Sequence, residues 1–191
     1  MEKNKSLIVS EGTRALARVS QHIGLVDKVL SAREEAFLMP KTVVLVFERE
    51  DDEPLRLEVD RNIEVLDLRQ EGITTLPVEI GQLTNLTSLN LIRNKLTQLP
   101  VEIGKLTNLI SLHLHTNRLT QLPAEIGQLT NLTSLHLRAN RLTHLPLEIG
   151  NLINLPSLML WGNGFSDNEK QKIKVLLPNC RISFNYPWET R

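Results

Sequence analysis

Three histidines form a cluster in this sequence that could bind a metal ion. His113 and His115 are two residues apart, and His136 follows His113 by 23 positions. Residues two apart on a β-strand share a face, so the side chains of the first pair would point the same way. If the segment around His136 forms the neighbouring strand, it lies roughly 4.8 Å from His113. Three neutral imidazoles on one face could hold zinc and leave a fourth position open.

Two features of the same region favour a polar contact surface over a metal site. Arg138 is expected beside His115, where its charge opposes a cation, and no carboxylate joins the cluster to orient the ligands. We therefore predict no bound metal and keep zinc as the less favoured alternative. As ordinary polar groups, the histidines change charge near pH 6–7. They would then bind an acidic partner more tightly as the pH falls.

Sequence motifs for catalysis or cofactor binding are absent. Gly104-Lys105 lacks the hydroxyl residue and the upstream glycine of a phosphate-binding loop. Neither a Gly-x-Ser-x-Gly elbow nor a Cys-x-x-Cys pair occurs, and Cys180 is the single cysteine. We expect Cys180 to pack in the C-terminal cap of the fold. The sequence thus predicts a protein that is not an enzyme and carries no cofactor.

The histidines belong to a unit that repeats every 23 residues. Each unit reads approximately L-x-x-L-x-L-x-x-N-x-L-x-x-L-P-x-E-I-G-x-L-x-N, and the five units begin at Ile63, Leu86, Leu109, Leu132 and Leu155. A period of this length indicates a solenoid, in which each unit contacts only its neighbours. Leucines such as Leu89 and Leu91 would point inward from a short strand, and parallel stacking of the strands buries them.

Further columns of repeated residues predict how the units join. A buried ladder of asparagine amides would satisfy the backbone of the turn after each strand, at Asn94, Asn117, Asn140 and Asn163. One glycine in each unit would relieve a turn that needs positive φ or close packing, at Gly81, Gly104, Gly127 and Gly150. The first unit departs from the pattern, since Glu71 occupies the asparagine position and Gly72 follows it.

The repeated unit resembles that of leucine-rich repeat proteins. Its ending, Leu-Pro-x-Glu-Ile-Gly-x-Leu, is similar to repeats of Leptospira and other bacteria, of Roco-type proteins, and of Ras-associated repeat proteins of animals and plants. The resemblance covers about residues 63–184. It implies an α/β fold in which a leucine-rich repeat solenoid forms a short horseshoe arc, with a parallel sheet and protein binding on its concave face.

Function is expected where the units differ, at the outward strand positions. These positions alternate with the inward leucines and form columns across the sheet. The expected protein-binding residues are Asn90, Arg93, His113, His115, His136, Arg138, Met159 and Trp161. Tryptophan and arginine are enriched among interface residues that carry large binding energy, so Trp161 beside Arg138 is the expected anchor. In the alternative interpretation, Trp161 packs against the C-terminal cap.

The C-terminal segment is predicted to cap the solenoid, because a terminal unit otherwise exposes leucine to water. Ser166-Asp-Asn-Glu169 has the spacing of a capping box at the start of a helix. Cys180, Ile182 and Phe184 then alternate as a final strand. The predicted domains are residues 1–62, the repeats at 63–165, and this cap with its tail at 166–191.

Residues 1–62 lie outside the repeats. Apolar residues between Leu16 and Leu30 have helical spacing, Val43–Phe47 and Leu55–Val59 predict two strands, and the acidic segment Glu48–Glu53 predicts a solvated hairpin tip. This helix and hairpin could be the N-terminal cap. Alternatively, they form an adaptor that docks a second partner.

Composition narrows the expected partners. The net charge is zero and the sequence pI is about 7.0, which argues against nucleic acid as a partner. The apolar run Leu7-Ile8-Val9 is shorter than the roughly 7–15 residues of a signal peptide core, and no run reaches the roughly 18 residues of a membrane span. A single cysteine suits a reducing compartment. We therefore expect a bacterial cytoplasmic scaffold that binds a protein partner on its concave face.

Overall fold

A computed structural model of the protein describes residues 6–8, 41–50, 53–186 and 188. The strands of this part are β1 (Ser6–Ile8), β2 (Thr42–Arg49), β3 (Leu55–Asp60), β4 (Val65–Asp67), β5 (Ile73–Thr75), β6 (Ser88–Asn90), β7 (Ser111–His113), β8 (Ser134–His136), β9 (Ser157–Met159) and β10 (Arg181–Ser183). Its helices are α1 (Asp167–Leu176) and short 3₁₀ helices at Val78–Gln82, Val101–Lys105, Ala124–Gln128 and Leu147–Asn151. None of these helices combines the length and the apolar character that crossing a membrane requires.

The repeat strands form one parallel sheet. Across the described residues its order is β1-β4-β6-β7-β8-β9-β10. Equivalent residues of successive units pair, so that Leu89 is opposite Leu112, which is opposite Leu135. The side chains of all three leucines are 0% exposed. Each unit therefore stacks its strand on the preceding one and buries its leucines, which confirms the solenoid.

The asparagine ladder is hydrogen-bonded throughout, and it is buried at Asn94, Asn117 and Asn140 and half-buried at Asn163. Asn117 Oδ1 accepts a hydrogen bond from Leu96 N at 3.1 Å, and its Nδ2 donates to Leu91 O and Leu114 O at 2.9 and 3.0 Å. Equivalent bonds recur at Asn94, Asn140 and Asn163. Each amide thus joins the backbone of two units, as the sequence predicted.

Close packing explains the glycine after each isoleucine. Positive φ among the described glycines occurs only at Gly72 and Gly162, which makes the positive-φ alternative wrong for the repeated column. A Cβ added to Gly81 would lie 2.8 Å from Glu102 Cβ and from Glu102 O. The left-handed conformation falls instead on the residue before each ladder asparagine, such as Arg93 with φ 55°.

The described N-terminal strands join the first repeat unit. β2 and β3 form an antiparallel hairpin, and β5 of the first unit pairs with the other edge of β2. The buried side of β2, formed by Val43, Leu45 and Phe47, belongs to the same apolar core as the leucines. Gly72, with φ 70°, precedes β5. The first unit therefore departs from the repeat pattern where it adapts to the hairpin. The predicted helix at 16–30 lies outside the described residues.

Glu50 at the predicted hairpin tip is exposed to solvent, and it also contacts the repeat units. Its carboxylate forms an ion pair with Lys95 and a second one with Arg118 at 2.9 Å. Hydrogen bonds from these two side chains, chiefly Arg118, lower the pKa of the Glu50 carboxyl to about 2. Sequence periodicity could not predict this contact, because it joins residues 68 positions apart.

The C-terminal helix and strand have the predicted order. Ser166 Oγ accepts a hydrogen bond from Glu169 N at 3.3 Å and begins α1. Glu169 Oε1 accepts from Leu145 N rather than completing the capping box, so it ties the helix to the last full unit. β10 then pairs with β9. Cys180 is half-buried against the core, and this burial raises the pKa of its thiol.

Candidate functional site

The parallel register aligns the outward side chains in columns. Asn90 is opposite His113, His113 is opposite His136, and His136 is opposite Met159. A second column lies beyond the strand ends, at Arg69, Ile92, His115, Arg138 and Trp161. Backbone hydrogen bonds continue the ladder there, for example from Leu114 N to His136 O at 3.0 Å. We call these two columns, with Asp67 and Arg93, the open sheet face.

The three histidines are neighbours, as the spacing predicted. The rings of His113 and His136 stack with centroids 4.6 Å apart and an interplanar angle of 12°, and His115 meets His136 edge-on at 6.0 Å. Imidazole binds a metal through a lone pair in the plane of its ring. Two stacked, nearly parallel planes cannot converge on one ion. No group of three metal-ligating side chains in the described part of the chain could hold a metal, which contradicts the zinc alternative.

Burial disfavours the charged form of the three imidazoles of the open sheet face. Desolvation lowers the pKa of both His113 and His136. Desolvation, followed by the charge of Arg138, lowers the pKa of His115 to about 4. The expectation of a charge change near pH 6–7 is therefore wrong for His115, and for His113 and His136 the change is moved to lower pH. The sequence shows the spacing of the histidines, but the extent of their burial depends on the stacking of the strands.

We expect His115 to stay neutral in mildly acidic solution. Between its pKa of about 4 in the folded protein and its ordinary value of 6.5, the unfolded chain binds a proton that the folded chain does not. Folding therefore becomes less favourable as the pH falls through this range. In an NMR titration, the His115 ring signals should stay constant from about pH 7.5 to about pH 5.5. A midpoint near 6.5 would show that burial does not control this group.

A His115→Phe variant gives a second measurement of the same effect. It removes the titrating group, so it should lose less stability than the wild type when the pH falls from about 7 to about 5. Equal losses in urea unfolding at the two pH values would contradict the prediction.

An ion pair at one end of the open sheet face was not among the predicted site residues. Asp67 is only 7% exposed, and both of its carboxylate oxygens accept hydrogen bonds from Arg69 Nε, at 3.0 and 3.2 Å. These bonds raise the pKa of Arg69. Side chains two residues apart on a strand share a face, and these two carry opposite charges. The pairing could therefore have been predicted from the sequence.

Trp161 contacts both Arg138 and the C-terminal tail. The guanidinium carbon of Arg138 is 5.0 Å from the ring centroid of Trp161. Tyr186 packs on the same tryptophan at 4.8 Å and stacks on Trp188 at 4.8 Å. Trp161 therefore lies beside Arg138, as expected, and also packs against the C-terminal tail, as the alternative interpretation expected. Its role as a binding anchor stays a prediction. The C-terminal tail lies outside the repeats, so the 23-residue period could not predict that Tyr186 and Trp188 contact Trp161.

Comparisons with known proteins agree with the observed solenoid of repeat units. A family model described as a leucine-rich repeat region matches residues 61–177. A leucine-rich repeat protein of Leptospira interrogans is 48% identical with a TM-score of 0.62, over 65% of this chain and 32% of that one. A plant ice-binding protein is 28% identical with a TM-score of 0.52, over 63% of this chain and 41% of that one.

The chain spans about a third of the length of the Leptospira protein and about two fifths of the plant protein. No curated protein matches the sequence. The family model nevertheless covers more than half of the chain, from the hairpin to the C-terminal helix. The protein belongs to the leucine-rich repeat family.

Proposed function

We propose that the protein is a non-enzymatic interaction module that binds a protein partner on the open sheet face, the concave side of the arc. Leucine-rich repeats are generally protein–protein interaction modules, and the family is typically non-enzymatic. The expected contact residues are Asn90, Arg93, His113, His115, His136, Arg138, Met159 and Trp161. The observation that carries the proposal is the Arg138–Trp161 pair, two residue types enriched at energetically important interface positions.

The rigidity of the columns supports this proposal. The open sheet face rests on strands whose inward leucines are fully buried and whose turns are held by the asparagine ladder. A surface that is ordered before binding loses little conformational entropy on binding, so more of the contact energy appears as affinity. Met159, two residues before Trp161, is 39% exposed and offers an adaptable apolar contact.

The experiment compares two matched double variants in quantitative pull-downs from a lysate of the source cells. Arg138→Ala/Trp161→Ala changes the open sheet face. Arg141→Ala/Leu147→Ala removes the same kinds of side chain at exposed positions outside that face. We expect partners recovered by the wild type to fall at least about tenfold with the first variant and to persist with the second.

Thermal melts show whether both variants remain folded. Equal recovery of partners by the wild type and the Arg138/Trp161 variant would contradict binding through this face. Equal loss with both variants would also contradict it, because the effect would then not depend on the open sheet face.

For the domain organisation, we propose that the described hairpin of residues 1–62 caps the array at 63–165, and that 166–191 caps its other end. Two observations favour the cap interpretation rather than the adaptor interpretation. The buried side of β2 is continuous with the leucine core, and Glu50 forms ion pairs with two repeat units. Bacterial origin is suggested by the similarity to the Leptospira protein. A cytoplasmic location stays a proposal that rests on the sequence.

A further inference from the structure

Two arginines carry the unbalanced charge of the open sheet face. Arg69 is balanced by Asp67, and the three histidines are neutral at physiological pH. Lys95 and Arg118, near this face, are paired with Glu50. By contrast, neither Arg93 nor Arg138 has an ion pair with any residue in the described part of the chain.

These two arginines flank His115. Arg93 N donates a hydrogen bond to His115 O at 3.1 Å, and Thr116 N donates to Arg138 O at 3.1 Å. The three backbone segments are therefore consecutive in the ladder, and the outer two are roughly 10 Å apart. Both guanidinium charges act on the His115 ring, since each lowers its pKa. A group bound above His115 would be within reach of two cations.

His115 has an unused hydrogen-bonding group at this position. Its Nδ1 is buried without a hydrogen-bond partner. Its Nε2 also makes no hydrogen bond with the described residues, but it is not buried. A neutral imidazole has one N–H donor, and a proton on Nε2 avoids burying an unpaired N–H at Nδ1. In that tautomer, His115 presents one N–H donor within the electrostatic influence of two guanidinium groups.

Arg138 is held in place before any partner arrives. Its guanidinium lies over Trp161, which in turn packs on Tyr186. A stacked arginine keeps all its N–H donors in one plane, where they can bind both oxygens of a carboxylate. In this arrangement Trp161 acts as a positioning residue for Arg138.

We infer that the partner presents an acidic protein segment, whose carboxylates bind between Arg93 and Arg138 and accept a hydrogen bond from His115 Nε2. This inference rests on the proposed function and specifies its partner. A protein segment fits better than a nucleic acid. On the open sheet face, the cations without an ion pair among the described residues are Arg93 and Arg138. Beyond them lie the Asp67 carboxylate on one side and exposed Met159 on the other. A polyphosphate chain would need cations along its length.

The test uses synthetic peptides of defined charge and the whole 191-residue chain. A fluorescein-labelled 12-residue peptide of alternating glutamate and serine, ending in two leucines, presents its carboxylates on one side when extended. Matched peptides replace glutamate with glutamine or with lysine, and a single-stranded 12-nucleotide DNA represents a nucleic acid. Binding is measured by fluorescence anisotropy in low salt. The protein variants are Arg93→Gln, Arg138→Gln and, as the control outside the open sheet face, Arg141→Gln.

The acidic peptide should bind about tenfold more tightly than the glutamine peptide, which is the effect of one charge-assisted hydrogen bond. Arg93→Gln and Arg138→Gln should each weaken its binding by about fivefold, and Arg141→Gln by less than about twofold. Equal affinity for the acidic and glutamine peptides would overturn the inference, as would equal sensitivity to all three arginines. So would DNA that binds as tightly as the acidic peptide and with the same dependence on Arg93 and Arg138.

The inference and the proposed function fail in distinguishable ways. If the Arg138/Trp161 double variant loses its partners but the acidic peptide shows no advantage, binding on the open sheet face stands and its acidic chemistry is overturned. If partner recovery is unchanged in that variant, the proposed function itself fails.

Discussion

Replacing Asn117 with alanine should lower the free energy of unfolding by about 3 to 5 kcal/mol. The side chain is 8% exposed and bonds with Leu96 N, Leu91 O and Leu114 O. The variant leaves Leu96 N buried without a partner, which costs about 1–3 kcal/mol. Leu91 O and Leu114 O each lose one hydrogen bond, worth about 1 kcal/mol, and keep the one from Asn94 or Asn140. The loss is large because it affects two units at once.

Urea unfolding followed by far-UV circular dichroism measures this loss, with Asn108→Ala as the control. Asn108 is exposed, and its amide makes a single hydrogen bond with Thr84 O at 3.0 Å. Its replacement should cost about 1 kcal/mol or less. Similar losses for both variants would show that burial of the ladder does not determine its contribution.

Replacing Gly127 with alanine should cost about 3 kcal/mol, because the new methyl group has no space. A Cβ at this position would overlap Glu148 O and would lie 2.6 Å from Glu148 Cβ. Glu148 belongs to the 3₁₀ helix of the next unit, so its backbone can move only if the two units separate. That movement would also disturb the leucines buried between the units.

Gly164→Ala is the matched control for this overpacking. A Cβ at Gly164 meets no atom closer than 3.5 Å, and the residue does not have positive φ. We expect its melting temperature to stay close to that of the wild type, while Gly127→Ala melts lower by several degrees. A Gly127 variant as stable as Gly164→Ala would show that the units are less closely packed than described.

The repeats were predictable because short-range periodicity alone determines their contacts. A residue such as Leu112 pairs with the residues 23 positions before and after it, so one alignment of the units predicts the register. The same alignment predicted the ladder at Asn117 and the neighbouring positions of His113 and His136. In a solenoid, contacts between adjacent units supply most of the structure, so a local pattern carries global information.

The electrostatics of the open sheet face needed contacts that no period encodes. Glu50 neutralises Arg118 across 68 positions, and the tail brings Tyr186 against Trp161. Burial lowers the pKa of His115, although its spacing suggested an ordinary histidine. The sequence by itself determined which side chains share a face. Only the tertiary structure decided which of them remain charged and unpaired, because desolvation and long-range ion pairs depend on what packs around each group.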